Sequence, residues 1–254
     1  MGKQSVQAFG IDIGGTGIKG AIVDTNNGHL ITARKRVLTP HPATPDAVAE
    51  IVAKLLAEAS WQGVVGATFP AVIQHGVAKS AANVDMSWIG TDVDACFTTA
   101  TGGANEVIVL NDADAAGIAE ARFGAAQGVA GVVILLTFGT GIGSALLIDG
   151  TLVPNTELGH LELGGHDAEK RAAASVRDEH KMSYKKWAER VQDYMSYVER
   201  LFTPDLFVVG GGVSKDAAKW VPLLELKTPV KPAELLNDAG IVGAAMAAAE
   251  RGAD

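Results

Sequence analysis

The chain has one cysteine, Cys96, in 254 residues. That excludes an intramolecular disulfide and any multi-cysteine metal site, and it makes the cytoplasm the natural compartment. It has no excess of basic charge: the net charge is −8 and the isoelectric point about 5.2. A general nucleic-acid or membrane-surface binder is therefore disfavoured, although local basic patches survive inside an acidic total. Met1 to Ala8 is short and polar, without the apolar stretch of a secretion signal, and no apolar run approaches a membrane span. Low-complexity tracts and flexible linkers are missing too. What remains is a globular chain, 48% hydrophobic, long enough for one large or two modest domains.

Against those absences stand two glycine- and threonine-rich turns, each directly after an apolar strand-like run. The first is Asp12-Ile13-Gly14-Gly15-Thr16, with Lys19 just beyond; the second is Thr137-Phe138-Gly139-Thr140-Gly141. Another β-rich run follows each turn, so each is predicted to be the tip of a β-hairpin. P-loops and dinucleotide-binding turns open a helix instead, and neither of their glycine patterns is present. A polyanion must reach backbone N–H groups, and glycine removes the Cβ that would obstruct it. Thr16, Thr137 and Thr140 add hydroxyl donors, and Asp12 supplies an oxygen anion suited to Mg²⁺, directly or through its water shell. The plainer alternative is a pair of ordinary tight hairpins.

Strand and helix signals alternate, which predicts an α/β fold with ligands at strand ends. A three-strand meander (Ala8 to Ile13, Ile18 to Asp24, His29 to Thr39) is followed by a helix from Thr44 or Asp46 to about Ser60. Then come a strand at Val64 to Phe69, an irregular stretch from Pro70 to Thr91, and a strand at Glu106 to Leu110. A helix from Ala113 to Gly124 leads into a second meander around the second turn. A long polar helical region is predicted over Asp167 to Phe202, a strand over Leu206 to Val209, and a helix over Ala239 to Arg251. The economical architecture is two related α/β lobes, 1–112 and 113–238, with the helix of 239–254 packing back onto the first.

Asn111-Asp112 ends an apolar strand just before a helix. Asp112 is the candidate general base for phosphoryl transfer to an alcohol, since that chemistry needs a carboxylate to accept the hydroxyl proton. The alternative is a helix N-cap, shared among Asn111, Asp112 and Asp114. Glu157, His160, Glu162, His166, Asp167 and Glu169 form a polar cluster of the kind that binds sugar hydroxyls. Two competing readings are a Zn²⁺ site at His160 and His166, against which the cysteine count and spacing speak, and plain solvated loop polarity, the preferred reading for Glu162 taken singly. Ser80 and Asn83 are candidate walls of a polar pocket, or part of a surface loop, and Gly210, Gly211 and Gly212 would let a flat ring lie against backbone, or simply form a strand-to-helix turn.

In order along nearly the whole chain, these motifs resemble the ROK family of sugar kinases. That family lies within the hexokinase, actin and Hsp70 superfamily, and the likeness is greatest to its actinobacterial polyphosphate glucokinases. The resemblance rests on Asp12 to Thr16, Asn111-Asp112-Ala113, Gly139 to Gly143, Glu157-Leu158-Gly159-His160 and Gly210-Gly211-Gly212. It implies a two-lobed actin-like ATPase fold, glucose as acceptor, inorganic polyphosphate and ATP as donors, Mg²⁺ as cofactor and a homodimer. It implies Asp112 as base for the 6-hydroxyl, Asn111, Glu157 and His160 as sugar ligands with Glu169 a further one, and Gly210 to Gly212 as the adenosine motif. The cysteines of the family's zinc loop are missing, so no structural zinc is expected, and Ala71 stands where relatives usually have glycine. Seven Lys/Arg against five Asp/Glu between Asp167 and Arg190 allow a polyphosphate track along a helix, or simply an exposed amphipathic helix. Three rivals follow: a kinase for mannose, fructose or N-acetylmannosamine; a non-catalytic sugar sensor; and a repressor of the family, for whose helix-turn-helix the residues before the first strand leave no room.

Overall fold

A computed structural model describes residues 7–81 and 84–251. Its contacts divide the chain into two compact units, one running as far as Ala119 and resuming from Asn237, the other spanning Glu120–Leu236.

The first unit is built on a five-stranded sheet of order β3-β2-β1-β4-β7. β1 (Gln7–Gly14) and β2 (Gly17–Asp24) form an antiparallel hairpin joined by Gly15 and Thr16, and β3 (Lys35–Val37) extends it. β4 (Val65–Phe69) runs parallel to β1, and β7 (Val107–Asn111) parallel to β4; apart from Thr68 their buried residues carry no polar side chain. Strands of that kind need both faces covered. α1 (Pro45–Glu58) and α2 (Val93–Ala100) pack against each other, while α7 (Ala239–Arg251) packs on β1 and β4. Glycine makes the last contact close. A Cβ on Gly66 would run into the carbonyl of Ala244, and one on Gly243 into the carbonyl of Ala115 at the start of α3 (Asp112–Phe123).

The second unit repeats the design, with sheet order β10-β9-β8-β13-β14. β8 (Val132–Phe138) and β9 (Ile142–Ile148) are the hairpin, β10 (Thr151–Val153) its extension, and β13 (Leu206–Gly210) and β14 (Val230–Pro232) the parallel pair.

Aromatic residues are only 6% of the chain, and they are concentrated where they anchor these cores. In the first unit Phe69 and Trp88 meet tilted at a centroid distance of 4.4 Å, and Trp88 and Phe97 edge to face at 5.9 Å. In the second, Phe138, Trp187 and Trp220 meet edge to face, Trp187 and Trp220 at 5.0 Å. Each buried indole N–H finds a carbonyl: Trp88 that of Ala43, Trp187 that of Ala172, Trp220 that of Val213. Such partners are what buried tryptophans require.

Three expectations are corrected. The stretch from Pro70 to Thr91 is not wholly irregular: β5 (Ile73–Gln74) and β6 (Val77–Ala78) form a small hairpin, and α2 follows, its Asp92 side chain capping Ala95 N at 2.9 Å. The third strand of the first meander is only Lys35–Val37, preceded by an isolated bridge between Val23 and Leu30. The helical region predicted over Asp167 to Phe202 is broken. It comprises β12 (His166–Asp167) paired with β11 (Glu162–Leu163), α4 (Glu169–Ala172), α5 (Ala174–Glu179) and α6 (Tyr184–Phe202). Extended backbone at Ala173 and a positive φ at Lys181 make the breaks, and Ser183 caps the new start by accepting from Lys186 N at 3.3 Å. Lys181, Lys185 and Lys186 therefore do not share one helix.

Candidate active site

In the first unit the glycine turn is open. Gly15 and Thr16 are exposed, Gly15 has a negative φ, and a Cβ on it would meet no atom within 4 Å. Neither backbone conformation nor packing demands glycine there. Beneath the turn Asp12 is held on both oxygens, Oδ1 accepting from the Thr68 hydroxyl at 3.1 Å and Oδ2 from Lys19 Nζ at 2.8 Å. Thr68, buried in β4, also accepts from Ile13 N at 3.1 Å, so one hydroxyl ties the turn to the neighbouring strand. Thr39 braces it from the other side by donating to the Gly14 carbonyl.

At the end of β7 the capping question resolves onto Asn111. Its Oδ1 accepts from Ala113 N at 2.8 Å and Asp114 N at 3.2 Å, and its Nδ2 donates to the Ala71 carbonyl at 3.1 Å. Asp112 is exposed at the first position of α3, where its Oδ1 accepts from Ala113 N at 2.9 Å. Ser80 Oγ accepts from Val72 N at 3.1 Å, bracing the small hairpin; Asn83 lies outside the described residues.

In the second unit the turn at Gly139 shows the same openness, with no atom within 4 Å of a Cβ there and Thr140 exposed. Gly211 has a structural role instead: its φ is +82° and a Cβ would strike the Phe138 backbone. Gly212 meets nothing and borders a cavity of about 380 Å³ that Gly139, Thr140, Arg177, Tyr184 and Asp216 also line. The Arg177 guanidinium lies over the Tyr184 ring at 4.2 Å, and Tyr184 donates to Asp216 at 2.7 Å.

Four polar side chains of this unit converge. Ser144, buried on β9, donates to the Thr156 carbonyl and accepts from Leu158 N at 2.9 Å, which pins the segment carrying Glu157. A two-residue turn at Gly164 (φ +60°) and Gly165 (φ +81°) folds β12 back on β11; both angles need glycine. Asp167 and Glu169 are thereby returned to His160. Its Nε2 lies 3.8 Å from Glu157 Oε2, and its Nδ1 lies 3.6 Å from Asp167 Oδ2 and 3.9 Å from Glu169 Oε1. Glu169 Oε2 accepts from Ile142 N at 3.1 Å, joining this group to the second glycine turn. His160, Asp167 and Glu169 present ligand atoms within 4.8 Å of one another, whereas His166 is exposed and outside the group. Burial pushes the Glu157 carboxyl above the ordinary carboxylate range; His160 pulls it partly back, and Glu169 adds to the rise. Thr68 and Ser144 escaped sequence reasoning because a lone hydroxyl in an apolar strand carries no periodic signal.

Two such sheets, each with an antiparallel hairpin beside parallel strands, are the actin-like ATPase fold. The chain belongs to the ROK family, whose model matches residues 8–173. It is 56% identical over 239 residues to the polyphosphate glucokinase of Mycobacterium tuberculosis (strain CDC 1551 / Oshkosh), covering 94% of this chain and 90% of that protein. The polyphosphate glucokinase of Mycobacterium leprae is 52% identical over 241 residues, covering 95% of this chain and 74% of that one. The crystal structure of inorganic polyphosphate/ATP-glucomannokinase from Arthrobacter sp. strain KM matches with a TM-score of 0.91 at 55% identity, covering 97% of this chain and 99% of that chain.

Proposed function

We propose that the protein is a glucokinase, transferring a phosphoryl group from inorganic polyphosphate or ATP to the 6-hydroxyl of glucose. The observation that carries this reading is the 56% identity, over nearly the whole chain, to a polyphosphate glucokinase. Asp112 accepts the hydroxyl proton as the sugar oxygen attacks the terminal phosphorus; the P–O bond to the donor breaks, leaving ADP or a polyphosphate one unit shorter. The exposure of Asp112, with Asn111 carrying the main cap, supports that role. Glu157, His160 and Glu169 bind sugar hydroxyls, joined by Asn111 through its second amide hydrogen, and by Ser80 and Asn83. The turns at Gly14-Gly15-Thr16 and Gly139-Thr140-Gly141, with Lys19 and Thr137, hold donor phosphates, and the cavity beside Gly212 takes the adenosine of ATP.

Asp12 suits Mg²⁺: it is a hard oxygen donor, and a single carboxylate with water and phosphate oxygens is the usual provision. When bound, the ion neutralises donor phosphate charge. The cytoplasm and a homodimer complete the reading, on the family resemblance; among the described residues no helix is long and apolar enough to cross a membrane. Mannose is a second acceptor, favoured by the Arthrobacter relative's description as a glucomannokinase.

The test is Asp112→Asn. Loss of a positioned base costs about 10²- to 10⁴-fold in kcat, with an unchanged melting temperature. Full turnover in that variant overturns the assignment.

A further inference from the structure

Of the basic side chains around the first glycine turn, Arg36 is the one that no carboxylate neutralises. Arg34 Nη1 pairs with Asp238 at 2.7 Å, Lys35 Nζ with Glu58 at 3.0 Å and Lys19 Nζ with Asp12 at 2.8 Å. Arg36 makes no ion pair among the described residues. Its Nη2 instead donates to the carbonyl of Thr16 at 3.0 Å, which holds an exposed guanidinium at the tip of the turn. Gly17 makes room for it, since a Cβ there would lie 2.6 Å from Arg36 Nε. One of five N–H donors is used by that bond, and the rest of the fork remains for a partner. Beside it, Gly15 leaves open space where a Cβ would stand.

A protein of net charge −8 repels a polyanion at long range, so short-range cations must offset the field. Guanidinium suits the task because its parallel donors match phosphate oxygens in pairs. We propose that Arg36 binds the phosphates of a polyphosphate donor at the first turn, and so acts as a determinant of donor affinity. This rests on the donor reading above. The competing role is mechanical: Arg36 bracing the turn through Thr16 alone.

The test measures binding of sodium polyphosphate to the full chain by calorimetry over a salt series, with transfer to glucose assayed in parallel. Arg36→Ala is expected to bind about tenfold more weakly, the worth of one hydrogen bond to a charged group. It should also flatten the slope of log K against log salt by about 0.7, as loss of one phosphate contact on a flexible polyanion does. Arg36→Gln, which keeps a donor for Thr16 but no charge, behaves like Arg36→Ala. Arg36→Lys restores most of the salt slope, and Lys35→Ala, whose charge Glu58 already neutralises, changes neither quantity. The inference is overturned if Arg36→Ala and Arg36→Gln keep wild-type affinity and slope, if Lys35→Ala weakens binding equally, or if the wild type binds no polyphosphate. Wild type that binds polyphosphate through Arg36 yet transfers nothing to glucose removes the kinase reading and leaves Arg36 standing.

Discussion

Glu157 shows how one carboxylate's surroundings set a measurable property of the whole enzyme. In the role proposed for it, its ionised form accepts a sugar hydroxyl; burial raises its pKa above the ordinary value, so protonation begins at a higher pH than for a free carboxylate. The expected result is a KM for glucose that climbs as pH falls through that raised pKa, and an acid limb absent from Glu157→Gln, whose KM is high at every pH. An acid limb that persists in the variant contradicts the assignment. Linkage gives stability the opposite sign. The folded state holds this proton more tightly than the unfolded one, so the group's contribution to stability is lost as pH rises from the unfolded to the folded pKa. At this scale the placement of residues was readable where the signal is local: Asp12 lies near the end of β1, Asp112 directly follows β7, and Glu157 and His160 share a compact polar segment. The division of labour between Asn111 and Asp112 was not readable, because it depends on the Ala71 carbonyl, forty residues away, engaging the Asn111 amide. The approach of Asp167 and Glu169 to His160 likewise required the fold of the Gly164-Gly165 turn.

Among the elements, the least expected support is the buried Glu120 in α3, with no exposed surface. Its Oε1 accepts from Glu234 N at 2.9 Å and Leu235 N at 2.8 Å, and its Oε2 from Ala125 N at 2.8 Å. One carboxylate thus secures both ends of the second unit's chain. Glu120→Ala strands three backbone N–H groups and should cost about 3–5 kcal/mol, read as a lower midpoint in chemical denaturation. Glu120→Gln, which keeps an acceptor at the Oε1 position, should cost less; a change below about 1 kcal/mol in the alanine variant refutes the role. Sequence periodicity found the long elements, such as α1, α7 and the two hairpins, because their apolar stripes or alternations run for several turns or residues. It missed the breaks after Ala172 and at Lys181, where no proline or glycine marks the chain and tertiary packing decides. Trp187 shows the packing concerned: it lies in the core and donates to the carbonyl of Ala172 at the end of α4.

Across the molecule as a whole, a repeated succession of meander and glycine turn in the sequence made the α/β architecture legible, and the structure shows the same strand order in both sheets. Each sheet presents a hairpin whose tip is a glycine turn, and in each one glycine, Gly15 or Gly139, has open space where a Cβ would stand. The phosphate-binding role proposed for both turns accounts for that shared feature. An acidic chain can serve a polyanionic donor only if cations are placed locally, which is the part Arg36 is proposed to fill. The most direct measurement supplies the protein and Mg²⁺ with glucose and a single donor, polyphosphate or ATP in separate reactions, and follows the product by phosphorus NMR. Glucose 6-phosphate from polyphosphate, and also from ATP, is the predicted result. No sugar phosphate from either donor, or phosphate attached at another hydroxyl, would contradict the account.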